Sequence, residues 1–265
     1  MCFLIGFGIE LNVPQIAFRI GNFAIYYYAI CIVLGIVISL ILGYFDKEKF
    51  NIKFDDIIEI FTFSLITGII GARAYYCLFN LSFYLNNPSK IFAIRDGGLA
   101  IYGGIIFGII TAFILSRMKK INFADLMDYI APYLVLTQGI GRLGNFFNKE
   151  AYGVETKNIF RMGIMKNGNI IEVHPCFLYE FIACIIIFFV LKILKKKRKF
   201  EFQIFSTYMI MYGIVRFFIE SIRIDSLYFR NIKISQAVSI VFVIVGTFIH
   251  IYQYQKKSNF VNRNM

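Results

Sequence analysis

Long apolar runs broken by short polar stretches set the pattern of this chain. Residues 22–43, 97–116 and 234–255 contain no Asp, Glu, Lys or Arg at all. Residues 56–79, 176–191 and 202–222 are nearly as apolar, each interrupted by only one to three charges. A seventh run, 123–147, is the weakest, because Asp125 and Asp128 stand near its start. A helix needs about 20 mostly apolar residues to cross a bilayer core. The pattern therefore predicts an all-α polytopic membrane protein of about seven transmembrane helices. They fall at roughly 22–43, 57–79, 98–116, 124–145, 176–193, 202–221 and 234–254, in one integral membrane domain over 1–265.

Composition agrees: 58% of the 265 residues are hydrophobic and only 17% are charged, where soluble domains carry about a quarter. The amino terminus is not read as a cleavable signal peptide. It lacks a basic opening, contains Glu10, and shows no small-residue cleavage site. Five cysteines, Cys2, Cys31, Cys77, Cys176 and Cys184, show no metal or redox spacing and read as small apolar fillers.

A net charge of +12 raises the question of nucleic acid, but its distribution answers it. With seven spans, one set of loops (44–56, 117–122, 192–201 and the tail from 255) holds 15 of the 28 Lys and Arg in 40 residues. The opposite set is about twice as long and holds 10. This bias predicts a multi-pass membrane protein with its N-terminus outside and its C-terminus cytoplasmic. The basic loops sit beside anionic lipid headgroups, and no nucleic-acid partner is expected.

Three arginines, Arg73, Arg142 and Arg216, belong to no loop. An arginine at membrane depth costs several kcal/mol unless it meets a partner or a wet cavity. Helical spacing groups two of them with other polar residues. Tyr208, Tyr212, Arg216 and Glu220 recur every fourth position in the sixth span, with Arg223 three further on. In the fourth span Gln138, Arg142 and Asn145 form a second stripe, in which Arg142 is an unpaired cation. An i,i+4 ion pair between Arg216 and Glu220 explains neither the tyrosines nor Arg142. Two polar stripes predict a shared polar cavity, open toward the extracytoplasmic side.

Two further stretches face that side. "RDGGLAIYGG", 95–104, opens the third span with two glycine pairs around Tyr102, and exposed amides at a helix N-terminus favour an anion. "HPCFLYE", 174–180, opens the fifth span with His174 and places Glu180 one turn in. A lone histidine there is more often a capping or packing residue than a base. Guanidinium groups, amides and tyrosines together suit a phosphate-bearing headgroup. No acidic cluster suggests Mg²⁺ and no Cys/His set suggests zinc, so neither metal nor other cofactor is expected.

With these residues in view, the chain resembles the prolipoprotein diacylglyceryl transferase family. "GRLGNFFNKEAYG", 141–153, is similar to that family's signature G-R-[IL]-G-N-F-x-N-x-E-x-x-G. "AIYYYA" (24–29), "GARAYY" (71–76), "GGLAIYGG" (97–104), "HPCFLYE" and "YGIVRFFIESIR" (212–223) follow in the family's order. The resemblance implies transfer of the diacylglyceryl group of phosphatidylglycerol to the lipobox cysteine of a prolipoprotein signal peptide. A thioether forms and glycerol phosphate leaves. It implies that Arg142, Asn145, Gly153, Tyr27, Gly103 and Gly104 bind phosphatidylglycerol. Arg216 would stabilise the leaving phosphate or position the thiol, Glu220 would hold Arg216, and Glu150 would shape the pocket. Tyr212, Arg73, Glu180 and Asn148 would support the site, among membrane lipids as further partners.

One position departs from the family pattern. Many members carry histidine where this sequence has Tyr102, and a neutral tyrosine, with a pKa of about 10, is a poor base. Nearby arginines favour the thiolate, and Tyr102, His174 or Glu150 remain alternatives for accepting the proton. Two other classes compete. A transporter suits intramembrane arginines, but no inverted repeat is visible. A metal-dependent lipid-modifying enzyme needs an acidic cluster at membrane depth, which the sequence lacks.

Overall fold

The computed structural model describes residues 2–4, 9–11, 14–46, 50, 52–94, 97–166 and 169–263. Arg95 and Asp96, which open the glycine-rich stretch, and the Cys2 and Glu10 side chains lie outside them. The chain divides into two compact units, 1–45 with 127–265, and 46–126.

The first unit holds α1 (Tyr27–Tyr44), α5 (Phe123–Asn148, whose first four residues belong to the second unit), α6 (Cys176–Lys196), α7 (Gln203–Ile222) and α8 (Ile234–Arg263), with short strands between α5 and α6 and between α7 and α8. In the second unit α2 (Phe54–Phe79) packs along α4 (Ile101–Met118). The short α3 (Leu81–Asn86) and a 3₁₀ turn, Pro88–Phe92, lie between them in sequence.

Among the described residues, five helices are long and apolar enough to cross a membrane: Tyr27–Tyr44, Phe54–Phe79, Ile101–Met118, Cys176–Lys196 and Ile234–Asn259. The chain is a multi-pass membrane protein. α5 and α7 are as long, with 26 and 20 residues, but they carry the two polar stripes, which lower their hydropathy.

The all-α expectation is corrected at the helix ends. β1 (Cys2–Leu4), β2 (Ile9–Leu11), β5 (Met162–Lys166) and β6 (Asn169–Val173) form an antiparallel sheet in the order β2-β1-β5-β6. β3 (Ile16–Ile20) pairs with β4 (Phe23–Tyr26), and β7 (Tyr228–Phe229) with β8 (Ile232–Lys233). The first apolar run therefore begins as a strand and becomes helical only at Tyr27. "KNGN" between two apolar segments is a hairpin signal that reading 149–175 as a plain loop passes over. Met162, Ile164 and Val173 turn inward from β5 and β6 onto Ala151 and Phe177, while Met165 and Ile170 face outward, the period of two that a half-buried strand requires.

α7 has no capping side chain of its own, and Phe202 before it is left-handed. Asp128, fully buried on α5, accepts the Ile204 and Phe205 N–H groups at 2.9 and 2.8 Å and pairs with Arg198 at 2.6 Å. A carboxylate brought from another helix thus does the work of an N-cap. At the other end Lys233 donates to the carbonyls of Glu220, Ser221 and Arg223 at 2.7, 3.1 and 3.1 Å. Both ends of the helix that carries Arg216 are pinned.

In the second unit Arg73 is 6% exposed and donates to five carbonyls, those of Lys90, Ile91, Ala93, Gly97 and Gly98, at 2.6 to 3.3 Å. Its guanidinium also lies 5.3 Å from the Tyr84 ring centroid. This arginine is satisfied by the segment between α3 and α4. Its truncation leaves carbonyls without their charged donor, at about 1.5–3 kcal/mol per bond. We expect Arg73→Ala to lower the thermal midpoint of the detergent-solubilised protein by several degrees. An unchanged midpoint refutes the clamp.

Candidate active site

The two stripes meet in the first unit through one carboxylate. Glu180, one turn into α6 and 2% exposed, accepts the Tyr212 hydroxyl at 2.7 Å and Arg216 Nη1 at 2.9 Å, and lies 2.9 Å from Arg142 Nη2. The expectation of an unpaired Arg142 is corrected. Its counter-charge comes from a helix 38 residues away in sequence, beyond any local spacing rule. Arg216 turns its other terminal nitrogen to Glu220, 2.6 Å away and 1% exposed. The Arg223 Nε stands 3.9 Å from the same Glu220 oxygen. Arg142, Glu180, Arg216, Glu220 and Arg223 thus alternate in sign, which is how buried charges survive desolvation. The guanidinium of Arg142 is not exhausted: its Nε is buried and has no hydrogen-bond partner among the described residues.

Above Glu180 the Tyr208 and Tyr212 rings stack at 5.8 Å, and the Tyr208 hydroxyl donates to Gln138 Oε1 at 3.1 Å. The α7 tyrosines thereby join the α5 stripe. At the end of α5 the chain reverses. Glu150 N–H reaches back to the Asn145 carbonyl and Lys149 N–H to that of Phe146, at 3.1 and 3.2 Å, with Lys149 left-handed at φ +57°. That is a Schellman turn. It brings Glu150 Oε1 onto the Asn145 and Asn148 side-chain amides at 2.8 and 3.1 Å. Gly153 follows, wedged so that a Cβ would stand 2.8 Å from Cys176 Sγ and 2.9 Å from the Ile222 carbonyl. Only glycine fits there.

Tyr27 opens α1 and stacks on Phe147 at 4.5 Å, placing it beside the same stretch. His174 is held by its ring: Nδ1 lies 3.0 Å from the Tyr179 hydroxyl, which donates to the Phe160 carbonyl. Tyr102, Gly103 and Gly104 stand in the first turn of α4, in the second unit. A Cβ on Gly103 would lie 2.4 Å from the Gly71 carbonyl oxygen, so α2 and α4 depend on that glycine for their close approach.

The residues that the opening reading missed are Asp225 and Lys233. Asp225 receives two hydrogen bonds from Arg223, at 2.8 and 2.7 Å, and one from the Ala151 N–H at 3.3 Å. Burial raises the Asp225 carboxyl, but the Arg223 hydrogen bonds and charge outweigh it and hold it below the ordinary carboxylate range. A depressed value means its contribution to stability is complete at neutral pH and is lost only on acidification through that depressed value. "SIRID", 221–225, at the end of α7 carries the signal, an arginine and a carboxylate two apart.

Comparison with known proteins bears on what this arrangement belongs to. The family model for prolipoprotein diacylglyceryl transferase matches residues 15–252. The chain belongs to that family. Phosphatidylglycerol–prolipoprotein diacylglyceryl transferases of Clostridium novyi and Finegoldia magna are each 41% identical to it. The matches cover 94% and 92% of this chain and 97% and 96% of those relatives. The transferase of Clostridioides difficile is 40% identical over 92% of this chain and 97% of its own length. Every residue of the alternating charge network lies inside the span that the family model matches.

Proposed function

We propose that this chain transfers the diacylglyceryl group of phosphatidylglycerol to the lipobox cysteine of prolipoproteins, in the bacterial cytoplasmic membrane. The observation that carries the reading is the Arg142 guanidinium, anchored by Glu180 at one edge and left with a buried Nε donor that no described residue satisfies. A buried donor without a partner calls for one, and phosphate oxygens match a guanidinium edge. Near-complete alignment with relatives that bear this activity in their names supports the same assignment.

In the reaction the cysteine sulfur attacks the glyceryl carbon bonded to phosphate. A C–S bond forms, the C–O bond breaks, and its electrons leave on glycerol phosphate. Arg142, with Asn145, Tyr27 and Gly153 around it, binds the headgroup. Arg216 stabilises charge on the departing phosphate, held by Glu180 and Glu220. Fixed donors aimed at developing charge need no reorganisation as the bond breaks. Glu150 has one oxygen occupied by two amides, and it shares with His174 and Tyr102 the candidacy for receiving the thiol proton.

On this reading the long helices among the described residues, α5 and α7 included, make seven membrane crossings, with the N-terminus outside, the C-terminus cytoplasmic and a polar cavity open outward. The test is direct. Purified protein with phosphatidylglycerol vesicles and a lipobox peptide is expected to yield a diacylglyceryl thioether peptide detectable by mass spectrometry. A Cys→Ser peptide is expected to remain unmodified. No product from folded protein defeats the reading.

A further inference from the structure

We propose that Asp225 is a positioning residue that, with Arg223, fixes the direction of Glu150 by holding Ala151 in a left-handed turn. The inference rests on the functional reading above and adds a residue to it.

Glu150 is flanked on both sides by non-glycine residues at φ +57°, Lys149 and Ala151. Residues with a β carbon rarely adopt this region, and such outliers persist only where surrounding structure overdetermines them. The helix end accounts for Lys149, through its Schellman turn. It does not account for Ala151.

Two facts do. The Ala151 methyl belongs to the small core of Met162, Ile164, Val173 and Phe177 and is 3% exposed, so glycine would forfeit that packing. Its backbone is also tied at both polar atoms. The carbonyl accepts the Phe177 N–H at 3.2 Å, and the N–H donates to Asp225 Oδ2 at 3.3 Å. Asp225 is itself held by Arg223, whose Nε donates to Oδ1 and whose Nη2 donates to Oδ2.

The two segments are sewn together beyond that point. Ile224 N–H donates to the Tyr152 carbonyl at 3.4 Å and Val154 N–H to that of Ile222 at 2.9 Å, with Gly153 and Arg223 in a β-bridge. The end of the Arg216-bearing helix therefore dictates the backbone at Ala151. The backbones at Lys149 and Ala151 together set where Glu150 points, with its Oε1 on Asn145 and Asn148. Without the Asp225 acceptor, the Phe177 N–H and the methyl's core contacts are left to oppose the return of Ala151 to the ordinary region of φ, a return that swings Glu150 off its amides.

The experiment compares peptide-modification kinetics of wild type, Asp225→Ala, Asp225→Asn, Ala151→Gly and the Ala151→Gly/Asp225→Ala double variant in phosphatidylglycerol vesicles. Folded protein is quantified by size exclusion and thermal melting. Displacing a reacting group by about 1 Å costs on the order of 100-fold. Asp225→Ala is therefore expected to lose about 10- to 100-fold in kcat, with KM for phosphatidylglycerol within about threefold. Asp225→Asn keeps an oxygen acceptor for the Ala151 N–H and is expected to lose less.

The deciding readout is rescue. Glycine accepts positive φ without penalty, so the double variant is expected to regain several-fold in kcat over Asp225→Ala alone. A wild-type rate in Asp225→Ala, or no regain in the double variant, overturns this inference while leaving the functional reading intact. No product from wild type overturns both.

Discussion

Arg142→Ala is expected to lower the initial rate of peptide modification by about 10²- to 10³-fold. That is the typical consequence of removing one preorganised donor from a site where negative charge develops. The expectation follows from two properties of this guanidinium. One terminal nitrogen is fixed by Glu180 at 2.9 Å, so the group is oriented before any substrate arrives. Its Nε is buried without a hydrogen-bond partner among the described residues, so a phosphate oxygen would meet a donor not already engaged by them. Arg142→Lys keeps the charge but not the planar fork, and is expected to fall between wild type and alanine. Both variants are measured at saturating phosphatidylglycerol, with a thermal melt to establish that the protein is folded. An undiminished rate in Arg142→Ala defeats its role as the phosphate clamp.

Glu180→Ala is expected to damage stability and activity together. The carboxylate is 2% exposed and stands between two guanidinium groups and a tyrosine hydroxyl. Deleting one member of a buried ion cluster leaves uncompensated charge, at about 3–5 kcal/mol. Arg142 and Arg216 then lose the anion that spaces them, and Tyr212 loses its acceptor. Glu180→Gln preserves shape and an acceptor oxygen but removes the charge, and is expected to destabilise less while still slowing transfer. The measurements are the thermal midpoint in detergent and the rate per folded molecule. A Glu180→Ala protein with a wild-type midpoint and rate refutes the bridge.

The contrast between Arg73 and Arg142 separates what is local from what is not. Both stand out in sequence for the same reason, a cation inside an apolar run. Hydropathy cannot tell them apart, because it records the cost of burying charge and not the identity of the group that offsets it. The structure assigns Arg73 to five backbone carbonyls and Arg142 to a carboxylate on another helix. Arg73 is thereby a clamp on its own unit, and Arg142 keeps a buried Nε without a hydrogen-bond partner among the described residues.

The long helices, their order and both polar stripes were legible in the sequence. Apolar run length and i,i+4 spacing are short-range properties, written into neighbouring residues. Arg216 with Glu220 was legible for the same reason, being one helical turn apart. The signature 141–153 pointed to the family by motif alone.

Only the tertiary structure decided the rest. Glu180 joins the two stripes because three helices bring their side chains within 2.9 Å, a contact between residues 36 and 38 apart that no periodicity encodes. The left-handed backbone at Ala151 exists because Asp225, the Phe177 N–H and a small sheet core hold it there, against the preference of alanine itself. Local preference determined which segments are helical and which residues are out of place in them. Long-range pairing decided which charges cancel, which donor is left over, and where Glu150 is aimed.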